Sequence, residues 1–268
     1  MAPEPLIVLS PFDLGLAALL VLLLAGLSWQ LQLGIGRRML IAAARSTVQL
    51  LLLGLVLKAL FSTTNLWLVS ALATLMLAVA GYEVMARQKE SFRGAWGYGI
   101  GAVSMFISAF SITLLTLLVI IQPDPWYKPQ YAIPLLGMLL GNTMTGIAIG
   151  LDNLTRNARE LRDQIEERLI LGQTWSQAIG DIRKDALRSG LIPIINAMAA
   201  AGVVSLPGMM TGQILAGSPP YEAAKYQLMI MYLITAGTGF GSLAAVWLGS
   251  RHLFDARHRL RLERLKKR

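Results

Sequence analysis

Arg45 and Gln49 stand four residues apart inside one long apolar run, and Glu83 lies near the end of another. Asn142, Thr145 and Asn196 interrupt two more. Ionisable groups inside a bilayer are costly and are functional suspects by default. Arg45 and Gln49 share a helix face and line a path for a polar substrate, or Arg45 snorkels to the headgroups. Glu83 either pairs with Arg45 or is a plain interfacial carboxylate. Asn142, Thr145 and Asn196 either face a common cavity or bond helix to helix. Pro207-Gly208 falls in mid-run and removes a backbone hydrogen bond. Met209, Met210 and Gln213 follow, with Met209 and Gln213 on one face. Broken backbone at membrane depth is tolerated where it is buried in protein or lines a cavity. One reading is therefore a gate or substrate surface, and the other is a structural kink filled by methionine.

Several chemistries are excluded at once. The sequence has no cysteine, which removes disulfides, thiolate metal sites and cysteine catalysis. Its two histidines, His252 and His258, both lie in the C-terminal tail. No paired carboxylates, metal-ligand cluster or serine–histidine arrangement lies within the runs, so an intramembrane enzyme ranks last. Metal ligands stay unassigned. No Gly-x4-Gly-Lys-Ser/Thr phosphate loop occurs, so no nucleotide or other cofactor is expected on this chain.

The elements that must position these residues are membrane helices. The chain is 55% hydrophobic and 15% charged, against about 25% charged in soluble domains. Several runs reach the roughly 20 residues needed to cross a ~30 Å hydrocarbon core, where backbone amides must be paired internally and so form helices. About seven spans are expected in an all-α membrane protein: near Phe12–Leu33, Met39–Phe61, Leu66–Met85, Gly97–Ile121, Tyr131–Leu151, Leu191–Ala216 and Tyr226–Ser250. Residues 1–250 are the transmembrane domain, with a charged segment at 152–190, and 251–268 are a basic tail.

Alternating the spans places Arg37, Arg38, the 87–93 loop, the 152–190 segment and the tail on one side. Together they hold most of the 24 basic residues. Cytoplasmic loops carry that excess, so the N-terminus is expected outside and the C-terminus inside the cell (inner) membrane. The net charge of +9 is then topology signalling and not a nucleic-acid patch, and the tail is an anchor for anionic lipid. Met1–Asp13 lacks the basic opening of a cleavable signal, so the first span is expected to be retained. The pairs Gly137/Gly141, Gly146/Gly150 and Gly237/Gly241 let helices approach closely, within one chain or between two copies.

The 152–190 segment reads as a helical hairpin. Leu154, Ala158, Leu161, Ile165 and Leu169 form one apolar stripe, continuing span five into the cytosol. Gly172 stops that helix, and Thr174-Trp-Ser-Gln177 matches a capping box that starts the next. Trp175, Ala178, Ile179, Ile182 and Ala186 then share a face. Ile170, Leu171 and Trp175 crowd near the turn, suited to a partner's groove or to lying on the lipid surface.

Glu167-Arg-Leu-Ile-Leu-Gly172, followed by Leu191-Ile-Pro193, resembles the coupling loop of ABC-transporter permeases, with Arg168 and Leu169 in place of that motif's two alanines and a longer gap to the proline. The wider pattern is more specific. Arg45-x3-Gln49-Leu50, Gly141-Asn-Thr-Met-Thr-Gly146, Pro193-x2-Asn196 and Leu206-Pro-Gly-Met-Met-Thr-Gly-Gln213, with Gly217 and Tyr226-Gln227, resemble the FetB-type iron-export ABC permease family. The plant aluminium-tolerance permeases are similar. The resemblance implies a permease subunit that exports a metal ion such as iron, working as a homodimer with separate ATP-binding subunits that carry the ATP. Glu167, Ile170, Leu171, Gly172, Thr174 and Trp175 would couple to those subunits. The competing reading is an ion-gradient-driven secondary carrier or channel, which calls for more buried acids than Glu83.

Overall fold

The computed structural model describes residues 10–63 and 65–267. The start of the chain, residues 1–9, which has no basic residue, lies outside them. The chain divides into two units. The first comprises the described residues up to Asn65 with Leu215–Gly217, and the second comprises Leu66–Ile214 and Ser218 onward.

The first unit holds α1 (Pro11–Gln30) and α2 (Gly36–Phe61). A capping box starts α1: Asp13 N donates to Ser10 Oγ at 3.3 Å, and Ser10 N donates to Asp13 Oδ2 at 2.8 Å. Gly36 approaches the Ala25 carbonyl, joining the two helices. Most of their apolar side chains face outward, as lipid permits.

The second unit holds α3 (Leu66–Arg87), β1 (Glu90–Phe92), α4 (Ala95–Ile121), α5 (Pro129–Glu160), α6 (Arg162–Ile170), α7 (Trp175–Ala178), α8 (Gly180–Ala200), α9 (Gly208–Leu215), α10 (Pro220–His252) and β2 (Leu265–Lys267). Two wide π turns, Phe106–Phe110 and Thr116–Ile121, interrupt α4. The core is the α5–α8–α10 bundle. A Cβ at Gly190 would meet the Gly146 carbonyl oxygen at 2.6 Å, and Gly150 faces the Ala186 carbonyl, so α8 runs antiparallel to α5. Gly237 and Gly249 face Thr143 and Leu151 in turn, so α10 runs parallel to α5. Five of the six motif glycines thus pack within the chain, while Gly141 has open space beside it.

Among the described residues, six helices are long and apolar enough to cross a membrane: α1, α2, α3, α4, α5 and α10. The segment expected as the sixth span is divided. α8 ends at Ala200, a turn containing Gly202 at φ +82° follows, and α9 begins only at Gly208. The portion of α8 from Leu191 is about 15 Å long, half the thickness of the hydrocarbon. A break was expected at Pro207-Gly208, but the helix stops seven residues earlier. Pro207 only begins α9, where its carbonyl accepts from Thr211 N at 3.1 Å.

One end of the second unit is tied by polar contacts. β1 pairs antiparallel with β2, Phe92 opposite Leu265. Arg159 on α5 meets the Glu90 carboxylate at 2.6 Å, and Thr155 Oγ1 donates to the Glu90 carbonyl at 3.0 Å. The last turns of α3, α5 and α10 therefore meet the first turns of α4 and the hairpin there.

Candidate functional site

The hairpin forms as its spacing requires. α5 continues unbroken to Glu160, bends at Leu161 and resumes as α6, with Leu154, Ala158 and Ile165 buried. Gly172 takes φ +87°, a left-handed conformation that glycine adopts without strain. It lets Gln173 N reach the Arg168 carbonyl at 3.1 Å. Thr174 N donates to Gln177 Oε1 at 2.9 Å, completing the expected capping box. Ala178, Ile179, Ile182 and Ala186 are buried, as one shared face predicts. Arg168 Nη1 donates to Asp181 Oδ2 at 3.0 Å across the two arms. That hydrogen bond from Arg168 is the main influence holding the Asp181 carboxyl below its ordinary pKa.

At the apex, the three apolar candidates separate. Ile170 and Leu171 are 85% and 75% exposed. Trp175 is half-buried instead: its ring lies 6.0 Å from Phe254, and the Arg251 guanidinium stands 5.4 Å above it. Its backbone N–H donates to His258 Nδ1 at 3.3 Å. The indole is a brace, and the neighbouring aliphatic pair is the outward knob. Glu167 is exposed beside that pair.

The brace comes from the tail, which is folded. Asp255 gathers it: its carboxylate accepts from the backbone N–H groups of Arg257 and Arg259, each at 2.9 Å, and from the side chains of Arg259 and Arg261. Those donors, the Arg259 amide foremost, hold its carboxyl well below the usual carboxylate range. Arg264 Nη1 donates to the carbonyls of His252 and Phe254. The His252 ring stacks on Trp96 at 4.3 Å. The tail's basic composition alone suggested an anchor for anionic lipid and gave no sign of this folding. The partners of Asp255 are local, within six residues, and Asp255-x3-Arg259 is the signal that sequence reasoning passed over.

The polar residues of the spans are only partly assembled. On the second unit, Glu83 lies 3.9 Å from Arg87, one turn on, and Arg87 Nη1 donates to Thr145 Oγ1 at 3.3 Å. Arg87, Thr145, Ile149, Asp152, Asn153 and Arg156 line a cavity of about 200 Å³ at the polar end of α5. Arg87, Asp152 and Arg156 were not singled out, although Arg87 stands four residues from Glu83. Asn142, one turn along α5, is exposed, and its amide donates to the Met138 carbonyl at 2.9 Å. Asn196 is exposed on α8. Pro207, Met209, Met210 and Gln213 are half-buried, Gly208 is exposed, and Gln213 Oε1 has no hydrogen bond among the described residues. Arg45 and Gln49 are exposed on α2 in the first unit. No three His, Cys, Asp or Glu side chains come together in a metal-holding group among the described residues.

These features define a polytopic helical membrane protein whose polar end carries a capped hairpin with an exposed aliphatic tip. The chain belongs to the UPF0014 family, described as "Uncharacterised protein family (UPF0014)", whose match covers residues 11–254. It is 38% identical to a UPF0014 membrane protein of Synechocystis over 92% of this chain and 95% of that one. It is 32% identical to the probable iron export permease protein FetB of Escherichia coli, over 95% and 96% of the two chains. Protein ALUMINUM SENSITIVE 3 of Arabidopsis thaliana is 34% identical over 87% and 83%. No solved structure matches significantly.

Proposed function

We propose that this chain is the permease subunit of an ABC transporter of the cell inner membrane, acting as a homodimer with two separate ATP-binding subunits. The single observation that carries the reading is the pair Ile170–Leu171, held out by a braced hairpin continuous with α5. An aliphatic knob on a rigid support suits a groove in a soluble partner. Motion of that partner during ATP binding and hydrolysis is passed through α6 into α5, and through α7 into α8. The contact of Gly146 with Gly190 makes the two arms move together. The Arg87–Thr145 link lies at the inner end of the path, where such a movement opens or closes it.

The chain passes the membrane seven times in this reading, α8 with α9 making the sixth passage, N-terminus outside and C-terminus inside. Exposed Asn142 and Asn196 face a second copy, because polar side chains in contact with lipid are disfavoured. The bacterial relative named as a probable iron export permease supports a metal ion such as iron as the exported cargo. Amide, hydroxyl and thioether groups of Asn142, Thr145, Asn196, Met209, Met210 and Gln213 are weak ligands, which suits a cargo that must leave.

The test is ATP hydrolysis in proteoliposomes holding this chain and its ATP-binding subunit. Leu171→Asp should uncouple the complex. Transport driven by an ion gradient with no ATP-binding subunit present would replace this reading with a secondary carrier.

A further inference from the structure

The tail does more than brace Trp175. Segment 257–261 stands opposite the hairpin tip, and the two enclose an open cleft of about 750 Å³. Leu169, Ile170 and Leu260 give it apolar surface, Arg257, Arg259 and Arg261 give it positive charge, and Glu166, the acid in its lining, is paired with Arg162 at 2.8 Å. The hairpin, residues 152–190, carries as many acids as bases, so the net positive charge of the cleft comes from the tail. Arg259 and Arg261 are engaged by Asp255, and Arg261 also by Glu263. Arg257 is exposed and has no carboxylate in ion-pair range among the described residues.

We infer that the tail and the hairpin tip form one composite dock, in which the ATP-binding subunit inserts a segment whose apolar residue meets Ile170 while an adjacent carboxylate pairs with Arg257. This rests on the permease reading and adds a second wall to its coupling site. Three observations favour a protein segment over a lipid surface. The site is a cleft, where a bilayer offers a plane. The backbone that carries its cations is fixed by hydrogen bonds that the Arg257 and Arg259 amides and the Arg259 and Arg261 side chains donate to Asp255, whereas lipid-binding basic tails need no fixed geometry. It also lies at the far end of a helix extended by the nine residues Asp152–Glu160, about 14 Å at 1.5 Å per residue, beyond the apolar run of α5.

The experiment uses the full chain and its ATP-binding subunit in phosphatidylcholine vesicles, which carry no net charge. Arg257→Glu should weaken subunit association and coupled ATP hydrolysis by about tenfold or more, as a reversed charge pair at an interface does. Arg257→Lys should retain most of both. Because the sequence has no cysteine, Ala256→Cys takes one photo-crosslinker, and the linked partner peptide should contain Asp or Glu. Replacing that carboxylate by Lys should rescue Arg257→Glu, a result that loss of folding would not give. Wild-type association of Arg257→Glu alongside failure of Leu171→Asp would overturn the composite dock and leave the permease reading intact. Loss of binding by Arg257→Glu to phosphatidylserine vesicles alone, with the ATP-binding subunit unaffected, would overturn it in favour of a lipid anchor. No association of the wild-type chain with the subunit would overturn both.

Discussion

Trp175 and Phe254 face each other with ring centroids 6.0 Å apart, so the aromatic residue beside the hairpin turn looks inward while Leu171 looks out. Neighbours at one turn therefore have opposite duties, and substitution separates them. Leu171→Ala should leave thermal unfolding within about 0.5 kcal/mol of wild type, as exposed positions do, yet reduce ATP hydrolysis that depends on this chain. Trp175→Ala should lower the stability of the hairpin by about 1–3 kcal/mol, less than the loss of a fully buried tryptophan, and reduce coupling through misplacement of the tip. Thermal unfolding and hydrolysis measured on both variants check the division. Equal destabilisation by the two would contradict it.

The tail should have a definite pH range. Asp255 is held below its unfolded value of about 3.8 by the Arg259 and Arg257 amides and by two arginine side chains. A carboxyl with a lowered folded pKa contributes stability that is fully present above the unfolded pKa and is lost as pH falls through the folded one. The clasp should therefore persist from neutral pH down to about pH 4, read as protection of the Arg257 and Arg259 amides from hydrogen exchange, and at neutral pH Asp255→Asn should open Arg257 and Arg259 to cleavage by trypsin. Cleavage of the variant at the wild-type rate would mean that the staple does not hold the tail.

Most of the hairpin was legible in the sequence, because its determinants are local. A stripe at three- and four-residue spacing, a glycine stop and a Thr-x2-Gln cap each act within one or two turns. The division of the sixth span was foreseen in kind but misplaced. Pro207 is the visible breaker, yet α8 ends at Ala200, and the φ of +82° at Gly202 is a property of the folded turn that follows. The pairing of Phe92 with Leu265 was not legible at all. Two three-residue strands have no periodicity to detect, and their partnership spans nearly the whole second unit. Glu83, Arg87 and Thr145 meet for the same reason: the i,i+4 pair is local, while its neighbour on α5 depends on packing.

The motif glycines divide by what lies beside them. A Cβ at Gly190 would sit 2.6 Å from the Gly146 carbonyl oxygen, a backbone atom that cannot yield without shifting a helix. Gly190→Ala should cost about 1–3 kcal/mol, the usual range for overpacking, with loss of α5–α8 closure. Gly141 has nothing within 4 Å, so Gly141→Ala should not disturb the folded chain. If this face of α5 meets a second copy, as the exposed Asn142 suggests, Gly141→Leu should reduce dimer formation while leaving monomer unfolding unchanged. Light scattering in detergent together with thermal unfolding distinguishes the two glycines.

The Arg87–Thr145 link offers the sharpest test of the path. It joins α3 to α5 at 3.3 Å and lies beside the Glu83 carboxylate and the cavity closed by Asp152 and Arg156. All of these groups lie on the second unit, on helices that do not carry the hairpin tip except through α5. In the permease reading, removing the link should therefore alter passage of cargo without detaching the ATP-binding subunit. Thr145→Val keeps the volume and removes the hydroxyl acceptor, while Arg87→Gln removes the charge and keeps a donor. Thr145→Val should change cargo flux by several-fold with subunit affinity unchanged, and Arg87→Gln should change it further because Glu83 then loses its neighbouring cation. Flux into or out of loaded vesicles, compared with subunit binding on the same preparations, gives the answer. A parallel fall in both quantities would place the link in the support of the hairpin and remove it from the path.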